Sequence, residues 1–351
     1  MLLTTFFNAL VYWICRPFMR AGPFQVFGNL TASYIDFCYA TFYKLITNSQ
    51  KETEKLIASA VKNGTGKGKI AIVTGANSGI GYDTAKVLGQ VGYHTILACR
   101  NLELGEQALT QLTEETGREN FELMSLNLAS FESINKFVEE FKERHGSLHL
   151  LVNNGGVCMC PYSTTAEGLE LQFGTNYVGH FVLTNALLDV LRRSGPSKIV
   201  NLSSLASYMN AGIDRELVTD KSKYNQSRAY YNSKLALVLF AATLARKLEG
   251  TGITANSINP GYVATNIFQH IGLSAKIQNM LFANTVMGSL TTLAVVLDQQ
   301  YANTTGQYFV RCQPTYAHPS ANSIKEQDEL WGFTEELIAK HSDRRSYGTF
   351  L

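Results

Sequence analysis

The sequence predicts an α/β fold, a doubly wound parallel sheet of the Rossmann type, preceded by an apolar N-terminal membrane segment. Three observations support this prediction. Short apolar runs alternate with helical stretches from residue 68 onward. A glycine-rich turn follows the first of these runs, and residues 1–43 carry few charged side chains. With 45% hydrophobic and 17% charged residues, the 351-residue chain can bury a substantial core.

Four segments are expected along the chain. Residues 1–48 form the apolar membrane-associated segment, and residues 49–67 form an amphipathic helix with a glycine-rich hinge. Residues 68–315 form the Rossmann domain, and residues 316–351 form a tail with a helix near 324–340. The hinge glycines are not expected to bind a nucleotide, because no strand precedes them.

The N-terminal segment contains two uncharged runs, 1–15 and 21–35, which are separated by Arg16 and Arg20. A membrane-spanning helix needs about twenty apolar residues, so the first run alone is short. Trp13 lies beside the first arginine, as an interfacial anchor would. A spanning anchor, a shallow hairpin, a helix lying in the interface and an extension packed on the protein itself therefore stay open. We expect a membrane-associated protein.

Charge and cysteine content exclude several classes of site. The net charge is +2, from 30 basic and 28 acidic residues, so no nucleic-acid partner is expected. The six cysteines show no spacing typical of a disulfide framework, which favours a reducing compartment. Cys158 and Cys160 resemble half of a metal site, but no second cysteine or histidine pair accompanies them at ligand spacing. No metal is predicted.

The elements of the Rossmann domain are predicted from their hydrophobic periodicity. The first half alternates as strand 70–74, helix to about 91, strand 94–98, helix 102–116, strand 121–126, helix 130–145 and strand 148–152. The second half contains strand 198–202, helix 227–248 and strand 253–258. The helix at 130–145 shows an apolar stripe at helical spacing, made of Phe131, Ile134, Phe137, Val138 and Phe141.

The turn after the first strand has the spacing of a dinucleotide-binding loop, with Gly75, Gly79 and Gly81. Such glycines allow a tight turn, a close approach of the backbone to a pyrophosphate and close packing of helix on strand. The amino end of the helix then offers N–H groups to the phosphates. Arg100 follows the second strand, where an acid would indicate NAD and an arginine accommodates a 2′-phosphate. The sequence therefore predicts NADP(H).

Four stretches together resemble the short-chain dehydrogenase/reductase family: Thr74-Gly75-x-x-x-Gly79-x-Gly81, Asn153-Asn154-Gly155-Gly156, Tyr230-x-x-x-Lys234 and Asn259-Pro260-Gly261. They stand in the family's order, and the likeness covers about residues 68–312. Further stretches, among them TNYVGHF and VNLSSLAS, look like the retinol dehydrogenase-type branch. The resemblance implies NADP(H), lipid substrates and a membrane location, on the endoplasmic reticulum or lipid droplets, with the catalytic domain in the cytosol.

The resemblance also implies a catalytic set of Asn176, Ser204, Tyr230 and Lys234. Tyr230 would act as acid or base on the substrate oxygen, and Lys234, one helical turn away, would tune it and hold the nicotinamide ribose. Ser204 would donate a hydrogen bond to the reacting oxygen, and its spacing to the tyrosine favours it over Ser203. Asn176 would hold a water linked to the lysine, with a helix cap as the alternative.

The spacing of Tyr230 and Lys234 is weak evidence alone, because Tyr82 and Lys86 repeat it. A strand that ends in serines precedes the helix of Tyr230, whereas Tyr82 follows the glycine turn. A free phenol has a pKa of about 10, and an ammonium about 4 Å away favours phenolate by about 4 kcal/mol, or about three pKa units. We therefore expect a lowered Tyr230 pKa. His180 is expected to be a core histidine without a role.

The expected cofactor-binding residues lie around the glycine turn and the catalytic pair: Gly75, Asn77, Ser78, Gly79, Ile80, Gly81, Arg100, Asn127, Leu128, Asn154, Tyr230, Lys234, Val263 and Thr265. Two positions depart from the family pattern. Asn127 stands where an aspartate is usual, so a hydrogen bond to adenine would lack charge assistance. Gly155 stands where alanine is common, which adds backbone freedom.

The predicted function is the NADP(H)-dependent interconversion of an alcohol and a carbonyl on an apolar small-molecule substrate of the retinoid, isoprenoid or steroid class. Membrane lipid is the second expected partner. An apolar stretch favours a lid over a lipid or, equally, ordinary core packing: Ile267, Phe268, Ile271, Leu273, Met280, Leu281 and Phe282. The alternatives are a cofactor-binding scaffold without catalysis and a steroid or fatty carbonyl reductase of the same fold. The oligomeric state, a homodimer included, stays open.

Overall fold

The protein is described by a computed structural model, which covers residues 6, 9, 10, 13, 47–264 and 282–341. Eight strands form one sheet in the order β3-β2-β1-β4-β5-β6-β7-β8. Neighbouring strands are parallel except for the last pair, β7 and β8, which is antiparallel. The strands are β1 (Ile70–Thr74), β2 (His94–Cys99), β3 (Phe121–Ser125), β4 (Leu150–Asn153), β5 (Ser197–Leu202), β6 (Ile253–Asn259), β7 (Tyr308–Val310) and β8 (Gln313–Thr315).

The helices cover both faces of this sheet. They are α1 (Ser49–Lys62), α2 (Gly79–Gln90), α3 (Leu102–Thr116), α4 (Phe131–Arg144), α5 (Gly179–Arg193), α6 (Gln226–Lys247), α7 (Thr285–Leu297) and α8 (Ile324–His341). A short helix, Leu171–Phe173, and a π-helical segment, Gly174–Val178, run directly into α5. The strand order reverses between β1 and β4, and in such sheets ligands bind at the carboxyl ends of the strands near this reversal.

Alternate residues of the strands belong to different cores. Ile72 packs into the core on one face with side chains of α4, α5, α6 and α8, whereas Ala71 and Val73 pack into the core on the other face with α1, α2, α3 and α7. Burial on both faces explains why the strands are almost continuously apolar. Residues at the carboxyl edge are therefore held by a sheet that is packed from both sides.

The predicted α/β fold of the Rossmann type and the order of the elements predicted between residues 70 and 258 are confirmed, with one correction to the sheet. The expected parallel sheet ends in the antiparallel strand β8, which follows β7 after a turn of two residues, too short for a parallel crossover. Helix α3 begins and ends where predicted, because Asn101 caps its start and Gly117 closes it in the left-handed conformation. The five apolar residues of the α4 stripe are all buried.

Two predicted regions lie largely or wholly outside the described residues. The uncharged runs 1–15 and 21–35 are described only at residues 6, 9, 10 and 13, and the predicted lid is described only at Phe282. Within the described part of the chain, no helix is both long enough and apolar enough to cross a bilayer. Thr265, predicted to contact the nicotinamide, also lies outside this part.

Candidate active site

The residues predicted as catalytic meet at the carboxyl edge of the sheet. Ser204 follows β5 and interacts with the buried Tyr230 on α6, which lowers the pKa of the tyrosine. Lys234 lies one turn further along α6, with Nζ 5.7 Å from the centre of the Tyr230 ring. Asn176 lies beside them, since a side chain added at Gly156 would come within 2.9 Å of the Asn176 oxygen and 3.9 Å of Lys234 Nζ. The arrangement brings an acid, a hydrogen-bond donor and a cation together at one edge of the sheet.

The two serines after β5 differ in what their hydroxyls bind. Ser203 is buried, and its hydroxyl donates to the backbone oxygen of Lys234 at 2.7 Å. Ser204 is half-buried and faces Tyr230, while its hydroxyl oxygen also accepts from the backbone N–H of Ala206 at 3.2 Å. Because Ser203 already holds the helix against the strand, Ser204 is the serine that can reach a substrate oxygen. This geometry supports the choice of Ser204.

Lys234 is buried and is bound by the protein backbone. Its Nζ donates to the carbonyl of Leu202, the last residue of β5, at 2.8 Å. Burial lowers the pKa of Lys234 to about 8, because the charged ammonium loses its hydration. The lysine is therefore held in place and can take up or release a proton near neutral pH.

The expected lowering of the Tyr230 pKa is wrong for the protein by itself. Burial raises the pKa of Tyr230 well above its ordinary value, Cys158 raises it further, and the hydrogen bond from Ser204 only partly offsets this. The expectation placed an ammonium about 4 Å away and left out the desolvation of the phenolate. Since Lys234 points to Leu202 instead, Tyr230 is a neutral phenol that holds its proton.

Asn176 lies in the π-helical segment before α5, where the wider turn exposes backbone groups. Its side chain accepts from the N–H of Val157 at 2.8 Å and donates to the carbonyl of Val157 and to Ser233 Oγ, both at 2.9 Å. Ser233 in turn donates to the carbonyl of Tyr230 at 2.8 Å. Asn176 is therefore not a simple helix cap, because it joins the loop that follows β4 to α6, the helix of Tyr230 and Lys234.

The glycines of the turn after β1 are required by close contacts within the protein. Gly75 has φ +65°, and a side chain there would come within 2.9 Å of the Cα of Gly155. A side chain at Gly81 would come within 2.4 Å of the Gly75 carbonyl. Ser78 is the N-cap residue of α2 but makes no capping hydrogen bond, so its side chain does not satisfy the first N–H groups of the helix. This open helix start fits a phosphate.

Neighbouring residues support the glycine turn from below. The side-chain amide of Asn154 donates to the carbonyl of Thr74 at 2.7 Å. Cys99 lies beneath the turn, where the backbone of Ala76 and Asn77 hydrogen-bonds to its sulfur. Burial nevertheless raises the pKa of the Cys99 thiol to about 11. The side chain of Ile80 lies near Gly288 of α7, as does that of Val263. Gly79, Ile80 and Val263 are thus brought to the same side of the sheet edge.

Arg100 and Asn127 lie near the carboxyl ends of β2 and β3. Arg100 is exposed directly after β2, which pairs with β1, the strand that leads into the glycine turn. The Asn127 side-chain oxygen accepts from the N–H of Ala129 at 3.1 Å, so it also holds its own loop. Leu128 is buried, and its side chain lies 3.0 Å from the position of a side chain at Gly155. A side chain at Gly155 would therefore fit only tightly, although the φ of this residue needs no glycine.

Thr74 and His180 were not expected to take part, yet they connect the two halves of the site. His180 is fully buried, with Nδ1 2.8 Å from the Asn176 carbonyl and Nε2 2.9 Å from Thr74 Oγ1. A carbonyl only accepts, so Nδ1 carries the hydrogen and Nε2 accepts from the Thr74 hydroxyl. The Thr74 oxygen also accepts from the N–H groups of Asn154 and Gly155. Burial lowers the pKa of His180 to about 4. His180 is a core histidine, as expected, but it links the glycine turn to Asn176.

The second pair at the same spacing has different surroundings. Tyr82 lies on α2, and burial together with Glu115 raises its pKa. Lys86 pairs with Glu115 at 2.7 Å, and both side chains are about one-third exposed. No serine hydroxyl and no carbonyl at the end of a strand faces this pair among its described contacts. Lys86 therefore forms an ordinary ion pair between α2 and α3, and the buried Tyr82 hydroxyl has no hydrogen-bond partner among the described residues.

Comparisons with known proteins agree with this fold. Residues 69–275 match the family described as short chain dehydrogenase. The chain is 37% identical to human retinol dehydrogenase 12 over 274 residues, covering 77% of this chain and 86% of that protein. It is 39% identical to human retinol dehydrogenase 13 over 285 residues, covering 77% and 85%. It is 37% identical to a chloroplastic short-chain dehydrogenase, TIC 32 A of Brassica napus, over 281 residues, covering 76% and 88%.

Solved structures show the same architecture. An uncharacterised protein from Mycobacterium paratuberculosis is similar with a TM-score of 0.64 and 28% identity, covering 78% of this chain and 94% of that chain. A short chain dehydrogenase from Escherichia coli CFT073, solved with NADPH, has a TM-score of 0.57 and 23% identity, covering 70% and 98%, which shows the fold alone. The match to more than half of the chain and the identity to the retinol dehydrogenases establish that this protein belongs to the short-chain dehydrogenase family.

Proposed function

We propose that this protein is an NADP(H)-dependent oxidoreductase that interconverts an alcohol and a carbonyl on an apolar lipid. The observation that carries the proposal is the convergence of Ser204, Tyr230 and Lys234 beside an open glycine turn. Ser204 interacts with Tyr230 and lowers its pKa, and Lys234 lies on the next turn of the same helix. Acid–base work on a substrate oxygen needs a proton carrier and a donor that hold the oxygen from two sides.

Tyr230 carries the proton in this proposal. Because burial keeps its pKa above the ordinary value, the phenol is protonated and can donate to a carbonyl oxygen during reduction. Ser204 donates a second hydrogen bond to that oxygen and stabilises the charge that develops there. Oxidation is the reverse of this step: the Tyr230 phenolate, whose charge Lys234 stabilises, takes the proton of the alcohol, while Ser204 keeps its own hydrogen and its bond to the substrate oxygen. A bound nicotinamide supplies or accepts the hydride.

Lys234 and Asn176 assist Tyr230 in this proposal. The Lys234 ammonium, with a pKa of about 8, holds a proton at Nζ near neutral pH and stabilises negative charge on the Tyr230 oxygen during turnover. Asn176 fixes the loop around Val157 and, through Ser233, the backbone of Tyr230. We therefore propose that Asn176 positions the proton carrier.

The cofactor assignment rests on the residues around the glycine turn. The start of α2 can receive the pyrophosphate, since no side chain caps its first N–H groups and the contacts of Gly75 and Gly81 keep the turn tight. Arg100 is exposed at the end of β2, the position that decides between a ribose hydroxyl and a 2′-phosphate. A guanidinium binds phosphate with charge-assisted hydrogen bonds, which supports NADP(H) over NAD(H).

The substrate class rests on the relatives and on the composition near the site. Two human relatives are named for retinol, an apolar alcohol. We propose a lipid alcohol or carbonyl of the retinoid, isoprenoid or steroid class for this chain. A panel of such alcohols and aldehydes, assayed with NADPH, NADP⁺, NADH and NAD⁺, tests the proposal. Turnover of at least one lipid with a preference for the phosphorylated cofactor is expected, whereas cofactor binding without turnover of any member would favour the non-catalytic scaffold.

Membrane association is supported by exposed apolar side chains near the site. Phe6 and Trp13 of the N-terminal segment are exposed. The ring of Trp13 packs edge-on against the exposed ring of Tyr316, with the two ring centres 6.4 Å apart. The carbonyl of Tyr316 accepts a hydrogen bond from Tyr208, which lies four residues after Ser204. We propose that this surface faces the bilayer and that substrate enters from it.

Deletion of residues 1–48 tests the membrane proposal, because the assigned chemistry lies entirely after residue 68. The truncated protein should leave the membrane fraction, bind NADPH, and retain activity on a short soluble aldehyde, while activity on a bilayer-dissolved lipid falls. Cell fractionation and NADPH fluorescence titration measure the two halves. A truncated protein that stays with membranes, or that binds no NADPH in any detergent, would contradict the proposal.

A further inference from the structure

A cluster of His94, Glu122 and His145 lies at the edge of the sheet opposite the candidate active site. His94 begins β2, Glu122 is the second residue of β3, and His145 is the C-cap of α4. The chain therefore brings these side chains together from three elements that are separate in sequence. None of them takes part in the chemistry proposed above.

Both histidines point to one carboxylate oxygen. His94 Nε2 lies 2.9 Å and His145 Nε2 lies 3.0 Å from Glu122 Oε2, and their ring centres are 5.3 Å apart. The three ligand atoms lie within 4.8 Å of one another. The His145 ring also packs on Phe141 at 5.1 Å, which restricts its motion. The side-chain exposures of 35%, 22% and 14% for His94, Glu122 and His145 leave a path to solvent.

The surrounding charges fix the carboxylate without covering the shared oxygen. Arg144 donates to the other oxygen, Oε1, at 2.9 Å, and a second arm of the guanidinium pairs with Glu140. Glu140 offsets the charge of the arginine. The bond from Arg144 therefore orients the Glu122 carboxylate, as hydrogen bonds to metal ligands usually do.

The geometry is close to that of a small transition-metal site. Imidazole nitrogen and carboxylate oxygen bind Zn²⁺ at about 2.0–2.2 Å, so neighbouring tetrahedral ligands are about 3.3 Å apart. The separations of 2.9 and 3.0 Å from Glu122 Oε2 need only small adjustments to reach this value. The two histidine nitrogens lie within 4.8 Å of each other, and binding an ion would bring them to the same spacing. Two imidazoles and one carboxylate suit Zn²⁺, Ni²⁺ or Cu²⁺, whereas Ca²⁺ and Mg²⁺ require mainly oxygen ligands.

The other described histidines differ from this pair. His149 accepts from the N–H of Ile70, His180 is fully buried between Thr74 and Asn176, and the ring of His318 bonds to backbone groups. Across residues 47–264 and 282–341, the structure brings three such ligands together only at His94, Glu122 and His145. Sequence analysis predicted no metal because these ligands are separated by 28 and 23 residues and follow no known spacing.

We propose that His94, Glu122 and His145 bind a divalent transition metal ion, with Zn²⁺ as the reference ion and water at the remaining coordination position. Both histidines bind through Nε2 in the neutral form, and Glu122 binds through Oε2. The ion joins β2, β3 and the end of α4, so it stabilises the sheet edge away from the catalytic residues. This inference is independent of the proposed function.

Isothermal titration with Zn²⁺ tests the proposal on the full chain in detergent, freed of tags and metal at pH 7.5. We expect one equivalent of Zn²⁺, and at least a tenfold loss of affinity in Glu122→Gln and in His145→Gln. Glu132→Gln is the matched control, because it also replaces one glutamate by glutamine. Glu132 lies on α4, is exposed and pairs with Lys136. This variant should bind like the wild type.

Thermal unfolding with and without Zn²⁺ gives a second readout, because an ion bound only by the folded state raises the Tm. Zn²⁺ should raise the Tm of the wild type and of Glu132→Gln, and should leave that of Glu122→Gln unchanged. If Glu122→Gln does not fold, His94→Gln takes its place in both measurements. Absence of saturable Zn²⁺ binding in the wild type, or equal affinity in Glu122→Gln and Glu132→Gln, would overturn the proposal.

Discussion

The two tyrosine–lysine pairs of this chain have the same spacing and opposite environments. Tyr230 is buried with Ser204 at the carboxyl edge of the sheet, and Lys234 is buried beneath it. Tyr82 and Lys86 lie on α2, where the lysine is about one-third exposed and pairs with Glu115. The pair on α6 has a desolvated lysine whose pKa is lowered, and the pair on α2 has a solvated ion pair. The comparison shows that burial and neighbours, not spacing, give such a pair its chemistry.

Replacement of the two lysines should separate the pairs most strongly. Lys234→Met should reduce turnover about 10²-fold or more, the range for loss of acid–base support. The same change should stabilise the fold at pH 7 by about 2 kcal/mol, because it removes a desolvation cost of about 3 kcal/mol but also the bond to Leu202.

Lys86→Met is the control for this experiment, and both its turnover and its stability should change little, since exposed pairs contribute about 0–1 kcal/mol. Steady-state kinetics and urea unfolding measure the two quantities. The sign can be checked by pH: with a folded pKa of about 8 and an ordinary value of 10.5, the stability of the wild type relative to Lys234→Met should rise from pH 8 to pH 10. A destabilised Lys234→Met with wild-type turnover would contradict the comparison.

Substitution of Arg100 tests whether the region around α2 serves cofactor binding. Because α2 begins at the glycine turn, we expect a change at Arg100 to affect the binding of the cofactor rather than the chemical step. Arg100→Ala should weaken NADPH by about 1.5–3 kcal/mol, the range for a hydrogen bond to a charged group, and NADH by little. Fluorescence titration with both cofactors measures the difference, and equal loss for the two would assign Arg100 a structural role.

The stability of the protein at acidic pH should depend on His180, which links the glycine turn to Asn176 beside the pair on α6. His180 is neutral in the fold, with a pKa lowered from 6.5 to about 4, so the unfolded chain binds more protons between these values. The wild type should therefore lose about 2 kcal/mol of stability from this group between pH 7 and pH 5. His180→Gln should lack that part of the loss in urea unfolding at the two pH values. An identical pH dependence of both proteins would refute the assignment.

The fold was largely predictable because its signals are local. Helix α3 is bounded by its own caps, Asn101 and Gly117, and α4 by the apolar stripe that it buries. The strands of the sheet center are apolar because both of their faces are covered. Each of these elements follows from residues within a window of about fifteen positions.

The electrostatics of the site were not predictable, since they depend on contacts across the chain. The pKa of Tyr230 rises through burial that no spacing reveals, and Lys234 donates to Leu202, which lies 32 positions earlier. The hydrogen bond between His180 and Thr74 joins residues 106 positions apart. Gly155 was interpreted as added backbone freedom, whereas its φ needs no glycine and the space beside Leu128 is narrow. A sequence motif shows which chemical groups are present, but the solvation of these groups depends on how the folded chain packs around them.

Paired measurement of Tyr230→Phe and Tyr82→Phe tests the central claim most directly. Each variant removes one hydroxyl and no charge, so the two changes are chemically matched. Turnover of the best substrate and the Kd of NADPH should be determined for both proteins. We predict that Tyr230→Phe loses turnover by at least about 10²-fold while NADPH binds as in the wild type, and that Tyr82→Phe keeps both. Substantial turnover in Tyr230→Phe, or its loss in Tyr82→Phe, would contradict the assignment of the catalytic pair to α6.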